Sequence, residues 1–343
     1  MYLNWFKTLT GVEERDVKTT FQLLDTDTDK GKIRFPNGRI CQYGKLTRDI
    51  LAKVRRLTEN NYLYDERTTV KQYVGDVTKL HIDPANNGAM FQAASQFNLL
   101  EMVGPSVTPE RGVTGYIGDR TQGPACALSA PAGTIYRNYF ADTNGFVGQS
   151  ATNQIDCMYD MGLALGNKRN ALWTMRNGYL WPTETGLQTV FDRLAKMDSN
   201  AIDHLRSLLR VGVQWNTEIA DVMQPNAPQG QFVQQAYCSA LPVAYAGGNR
   251  DLWAPFARLV LEASYEHTLR SAVINKGKNG SNKVFLTYVG GGVFGNRMDW
   301  IHEAMFRALK EVEWAGLDVV VVSYGRETRE TNDLISQWNS LNK

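Results

Sequence analysis

The segment Val284–Asn296, VFLTYVGGGVFGN, constrains the fold of this chain more than any other. An apolar, β-prone run enters three consecutive glycines, followed by Val293, Phe294, Gly295 and Asn296. Beyond it, Trp300, Ile301, Ala304, Met305, Ala308, Leu309 and Val312 recur at helical spacing, and Leu317–Ser323 is a β-branched run typical of a buried strand. Strand, loop, helix and strand in that order predict a right-handed crossover between parallel strands. Ligands of open parallel sheets sit at the carboxyl ends of the strands, where this glycine loop falls.

Glycines tolerate positive φ and let backbone amides approach an anion closely, and a helix start adds unpaired N–H groups and the positive end of its dipole. The loop is therefore either a cradle for a phosphate-sized anion or a tight strand-to-helix turn. It is neither a GxGxxG followed by an acid at dinucleotide spacing nor a GxxxxGK with Ser or Thr, so ordinary NAD-type and P-loop readings lose support. Asn296 is placed to cap the following helix. Asp299, three residues on, is either a first-turn acid favoured by the dipole or an acid beside the loop that orients a ribose or a water.

A composition of 43% hydrophobic and 21% charged residues allows a sizeable core, and a net charge of +2 sets up no field that would recruit nucleic acid. No 18-residue apolar span occurs, and the amino terminus is charged within its first dozen or so residues, so no membrane association, no direct nucleic-acid binding and a cytoplasmic location are expected, either in the home cell or after delivery to a host. Cys41, Cys126, Cys157 and Cys238 form no CxxC pair, and the four histidines share no ligand spacing, which argues against disulfide scaffolds and zinc clusters. Cys126, between alanines and without a histidine nearby in sequence, reads as buried filler rather than a nucleophile.

Residues 1–70 read as an N-terminal extension packed on an α/β domain of residues 71–343, with an insertion at about 142–230. Lys45–Asn60 has helical periodicity, Tyr73–Leu80 reads as a strand broken at Gly75 and Asp76, and Ala89–Ser95 as a short strand. Gly112–Phe140, rich in glycine and polar residues, reads as mostly ordered loop around one short helix. A hairpin is expected at Asn177 and Gly178, a helix over Leu187–Leu194, a strand over Leu208–Trp215, a loop over residues 226–230, a strand over Phe232–Tyr245 and a long helix over Trp253–Val273. Asp119 stands in the glycine-rich stretch beside Thr121 and Gln122, where it either bonds a local amide or serves a site. Glu101 reads as an exposed helix acid or a site acid, and Gln92 and Asn98 as surface amides or ligand contacts.

Taken together, VGGGVFGN, GDVTKL, FQAASQFNLLE, DRTQGPACALSAP and YRNY resemble macrodomains, in particular a divergent macrodomain-like group that includes a bacterial effector with ADP-ribosylarginine hydrolase activity. The resemblance runs over roughly residues 73–325. It implies a three-layer α/β/α fold with a mixed sheet and an ADP-ribose pocket whose pyrophosphate rests on Gly290, Gly291, Gly292, Val293, Phe294, Gly295 and Asn296. It further implies Asp119, Asp299 and Glu101 as catalytic or ribose-orienting acids, with Gln92, Asn98, Thr121 and Gln122 around them. The implied activity is hydrolysis of an ADP-ribosyl bond to a protein side chain, arginine by resemblance. The implied partners are ADP-ribose and an ADP-ribosylated protein. No cofactor or metal is required, although paired acids are the kind of group that holds Mg²⁺. Two other classes stay open: an ADP-ribose or NAD-derived nucleotide reader without turnover, and a scaffold in which the glycine loop is structural.

Overall fold

The computed structural model describes residues 4–61, 65–183, 185–220, 230–278 and 280–341. Its centre is a seven-stranded sheet of β1 (Lys45–Thr47), β2 (Thr69–Val74), β3 (Met90–Ala94), β4 (Gly212–Glu218), β5 (Phe232–Cys238), β6 (Lys283–Leu286) and β7 (Asp318–Ser323), in the order β1-β4-β5-β3-β6-β7-β2. Five strands, β5, β3, β6, β7 and β2, run mutually parallel. The β4 strand pairs antiparallel with both β5 and β1, so the sheet is mixed. The buried valines Val319–Val322 of β7 fit a strand covered on both faces.

Seven helices set the layers: α1 (Leu51–Asn61), α2 (Val77–Ile82), α3 (Gln122–Ser129), α4 (Pro131–Tyr139), α5 (Arg250–Gly277), α6 (Met298–Lys310) and α7 (Arg329–Ser340). Successive residues of a strand point to opposite faces. Phe91 of β3 stacks on His81 of α2 with ring centroids 3.8 Å apart, while its neighbour Gln92 donates to Thr268 of α5 at 3.1 Å. The helix pair α2 and α3 therefore covers one face and α5 the other, giving the three-layer α/β/α architecture. Glu266 of α5 is fully buried and ties its neighbours together, accepting from Arg55 of α1 at 2.6 Å and Arg307 of α6 at 2.8 Å.

The crossover from β6 through α6 to β7 forms as the sequence implies, with Val284 opposite Val319. Several local expectations are corrected. After Gly75 the chain enters a helix rather than a second strand piece, because Asp76 caps α2 by accepting from the Thr78 amide at 2.9 Å. Residues 112–140 hold two helices, not one. The Lys45–Thr47 segment, read as helix inside the N-terminal extension, is an edge strand of the main sheet, held by Leu46 opposite Gln214 and by the Trp215 indole donating to Thr47 Oγ1 at 2.8 Å. Likewise β4, inside the expected insertion, belongs to the same sheet. The β5 strand stops at Cys238, and Val243–Ala246 is helical. The expected loop at 226–230 lies outside the described residues except at Gly230.

The first 43 residues add helices Trp5–Thr10 and Val17–Leu23 and a small sheet of Asp25–Asp27, Lys32–Arg34 and Ile40–Gln42. Trp5, Phe6, Ile33 and Phe35 share a second apolar cluster with Met102, Tyr116, Ile135 and Tyr139 from the main body.

Candidate functional site

The glycine loop leaves β6 under tight control. Gln92 Oε1 accepts from the Thr287 amide at 3.2 Å, and the Tyr265 hydroxyl donates to Thr287 O at 2.6 Å and accepts from the Val289 amide at 3.0 Å. Gly290 sits at φ +75°, and a Cβ there would lie 2.4 Å from Ala240 Cβ and 2.7 Å from Asn296 Nδ2. The Asn296 amide closes the loop onto Gly290 O at 3.0 Å, and its side chain donates to Leu241 O at 2.8 Å. Asn296 is thus a loop clasp and not the helix cap expected of it; the capping position falls to Arg297, whose side chain makes no capping bond. Among the described residues, the amides of Gly292, Val293 and Phe294 donate to no protein acceptor. Val293 is 60% exposed and the space beside Gly292 is open, so consecutive uncommitted amides stand at the surface, the requirement for holding an anion.

The acids lie at the end of β3. Past Ala94 the chain turns through Leu99 at φ +65° and buries Glu101, which is 3% exposed, with Oε1 lacking any partner among the described residues. Its other oxygen lies against the start of α3, where a Cβ on Gly123 would come within 2.4 Å of Glu101 Oε2 and 1.8 Å of Ala94 O. Only glycine permits that approach. Burial pushes the Glu101 carboxyl well above the usual range, opposed by the charge of buried Arg137 and reinforced by Asp119. Asp119 caps the end of the short 3₁₀ turn Thr114–Gly118, is half-buried, and accepts from the Thr121 amide at 2.8 Å. Thr121 is exposed at the mouth of α3, and its side chain makes no capping bond.

Aromatic rings join the two halves. Tyr179, from the hairpin Trp173–Arg176 and Tyr179–Pro182, contacts Phe294 of the glycine loop at 5.3 Å and Tyr245 at 5.4 Å between centroids. The Tyr179 hydroxyl donates to Met102 O at 3.2 Å, which sets the ring one residue from Glu101, and burial raises that hydroxyl. Loop, rings and acids accordingly share the carboxyl edge of the parallel strands. Tyr179 and Tyr245 are not singled out by the sequence; the Asn177–Gly178 turn that delivers Tyr179 is the one available cue.

Other residues of the expected site are committed elsewhere. Gln92 is fully buried and spends its amide on Thr268 and the Thr287 backbone, tying β3 to α5 and β6. Asn98 is also buried, bonding Gln154 and its own turn at the Leu100 amide. Gln122 behaves as an extra rung on β3, accepting from the Ala94 amide at 2.9 Å and donating to Gln92 O at 2.8 Å. Asp299 forms a two-point pair with Arg297 at 2.8 and 2.9 Å and lines a separate open cavity of about 790 Å³ with His302, Phe306, Glu330 and Leu334, between α6 and α7. The polar side chains of Gln92, Asn98, Gln122 and Asp299 are thus each engaged with protein partners. No cluster of three or more His, Cys, Asp or Glu suited to a metal ion occurs among the described residues, and no described helix is long and apolar enough to cross a membrane.

Comparison with known proteins gives no matching family model and no matching curated protein. Among solved structures, the chain is similar to the poly(ADP-ribose) glycohydrolase of Deinococcus radiodurans in complex with ADP-ribose, at TM-score 0.47 and 11% identity over 87% of this chain and 94% of that one. It is also similar to the poly(ADP-ribose) glycohydrolase of Thermomonospora curvata bound to the inhibitor ADP-HPD, at TM-score 0.39 and 11% identity over 94% of this chain and 97% of that one. Likeness at this level assigns no chemistry to the present chain.

Proposed function

We propose that the carboxyl edge of the sheet binds ADP-ribose and hydrolyses its bond to a protein side chain, with Glu101 as general acid and Asp119 as the group that orients the ribose and activates water. The carrying observation is the pairing of a buried, proton-retaining Glu101 with a partly exposed Asp119, joined through Tyr179 and Phe294 to the uncommitted amides of Gly292–Phe294. A carboxyl raised by burial beside a second carboxyl within reach of solvent is a usual basis for dividing acid and base work.

The anomeric carbon passes through an oxocarbenium-like state. As the bond from that carbon to the leaving nitrogen breaks, Glu101 gives its proton to the nitrogen. Water forms the new C–O bond and passes a proton to Asp119. Proton exchange with solvent restores both groups. The pyrophosphate, two negative charges, is held by loop amides rather than by lysine or arginine, so binding depends on backbone geometry. The sequence resemblance points to an arginine linkage, in which Glu101 would protonate the departing nitrogen as the bond breaks. The physiological partner is then an ADP-ribosylated protein. A second reading, ADP-ribose recognition without turnover, is favoured by the 3% exposure of Glu101.

The test is release of ADP-ribose from arginine-modified protein by wild type, Glu101→Gln and Asp119→Asn, alongside calorimetry with ADP-ribose. Each variant is expected to lose roughly 10²–10⁴-fold in kcat while keeping ADP-ribose affinity within a few-fold. In the wild type, kcat falls as pH rises through the elevated Glu101 pKa, and Glu101→Gln removes that limb. Binding without release favours the reader; neither binding nor release overturns both readings.

A further inference from the structure

We propose that Glu14, from the N-terminal layer, is a positioning residue for both acids, so that this layer is a working part of the site rather than an appendage. The inference rests on the roles just given to Glu101 and Asp119.

Both acids are attached to one short piece of backbone, the 3₁₀ turn Thr114–Gly118. Tyr116, in its middle, is 2% exposed, and its hydroxyl accepts from the Glu101 amide at 2.9 Å. At its end, the Asp119 amide donates to Tyr116 O at 3.1 Å. Any shift of the turn therefore moves Glu101 and Asp119 together. Glu14 anchors the turn's other end. Its two carboxylate oxygens accept from the Val113 amide at 2.8 Å and the Thr114 amide at 2.6 Å, and the Tyr139 hydroxyl donates to it at 2.7 Å. Two amides gripping one carboxylate is a charge-assisted arrangement, stronger than a neutral bond.

Gly112 is shaped for this grip. It adopts φ +72°, and a Cβ there would lie 2.3 Å from Glu14 Cδ and 2.5 Å from each carboxylate oxygen. Among the described residues Glu14 forms no ion pair, and its carboxylate is held by the two turn amides and the Tyr139 hydroxyl. The Trp5 indole adds a second tie from the same layer, donating to Thr114 O at 3.1 Å.

The experiment compares full-length wild type, Glu14→Gln and Ile33→Val by amide hydrogen exchange and steady-state kinetics. Glu14→Gln keeps the side-chain shape but replaces one acceptor oxygen with a donor facing an amide. Ile33→Val trims the apolar cluster that Ile33 shares with Tyr116 while leaving every hydrogen bond to the turn in place. Glu14→Gln is expected to speed exchange selectively across residues 113–119 and at Glu101, and to lower kcat about tenfold or more at unchanged KM with the alkaline limb displaced. Ile33→Val is expected to lower the melting temperature while leaving exchange at Glu101 and Asp119, kcat and the limb at wild-type values. Wild-type exchange at Glu101 and Asp119 in Glu14→Gln, or the same kinetic loss in Ile33→Val, overturns the proposal. A wild type without turnover refutes the hydrolase reading alone, since the exchange data still decide whether Glu14 holds the two acids.

Discussion

Gly290→Ala separates a cradle from a plain turn. At φ +75° an alanine costs about 1–2 kcal/mol for the left-handed conformation, and a Cβ 2.4 Å from Ala240 Cβ adds about 1–3 kcal/mol of overpacking. The only soft neighbour is Asn296 Nδ2 at 2.7 Å, and moving it breaks the bonds that close the loop on Gly290 O and Leu241 O. The Gly292, Val293 and Phe294 amides then lose their common placement. Gly292→Ala is the matched control: nothing lies within 4 Å of its Cβ, so stability should change by less than about 0.5 kcal/mol. With thermal melting and ADP-ribose calorimetry on both, Gly290→Ala should lower stability and weaken binding at least tenfold. Gly292→Ala should melt like wild type, and any affinity it loses reports a phosphate resting on the open amides. Wild-type affinity in Gly290→Ala would refute the claim that the closed loop holds the ligand.

Two further predictions concern the frame that carries the site. His81 and His267 are buried and held neutral, each with one ring nitrogen donating to a backbone carbonyl, Val77 O and Asp49 O respectively, and burial lowers both to about 4. The unfolded chain binds protons below about 6.5 while the folded one resists, so this stability is present above pH 6.5 and lost as pH falls toward 4, at most about 3 kcal/mol per histidine; urea midpoints that stay flat between pH 7 and 4.5 would contradict it. Glu266→Gln leaves Arg55, Arg270 and Arg307 without their shared buried anion and should cost about 3–5 kcal/mol in urea denaturation, a loss under 1 kcal/mol being the contrary result.

The crossover from β6 to β7 was legible because its cues agree locally: β-branched strands, a glycine break and a helical apolar stripe all point one way. The β1 edge strand was not, since Leu46 fits a helical period and only pairing with Gln214, far along the chain, makes it a strand. The α3 helix hides behind QGPACALS, where Pro124 sits harmlessly in the first turn and Gly123 answers to Glu101 rather than to helix propensity. Residue type and loop context left Glu101 and Asp119 each with a structural alternative, and only the family resemblance named them as site acids. The commitments of Gln92 to Thr268 and of Gln122 to β3 arise from packing that no local pattern encodes. Asp299 takes the first-turn place its spacing from Asn296 implied, and there it also pairs with Arg297. Tyr179 acquires its place only by touching Phe294 across the cleft.

The most direct measurement of the central claim is a crystal structure of the protein soaked with ADP-ribose. The account predicts pyrophosphate on the Gly292, Val293 and Phe294 amides, with the ribose that would carry the scissile bond beside Asp119 and Glu101. Ligand bound in the groove of His302 and Glu330, or absent from the glycine loop at saturating ADP-ribose, would contradict it.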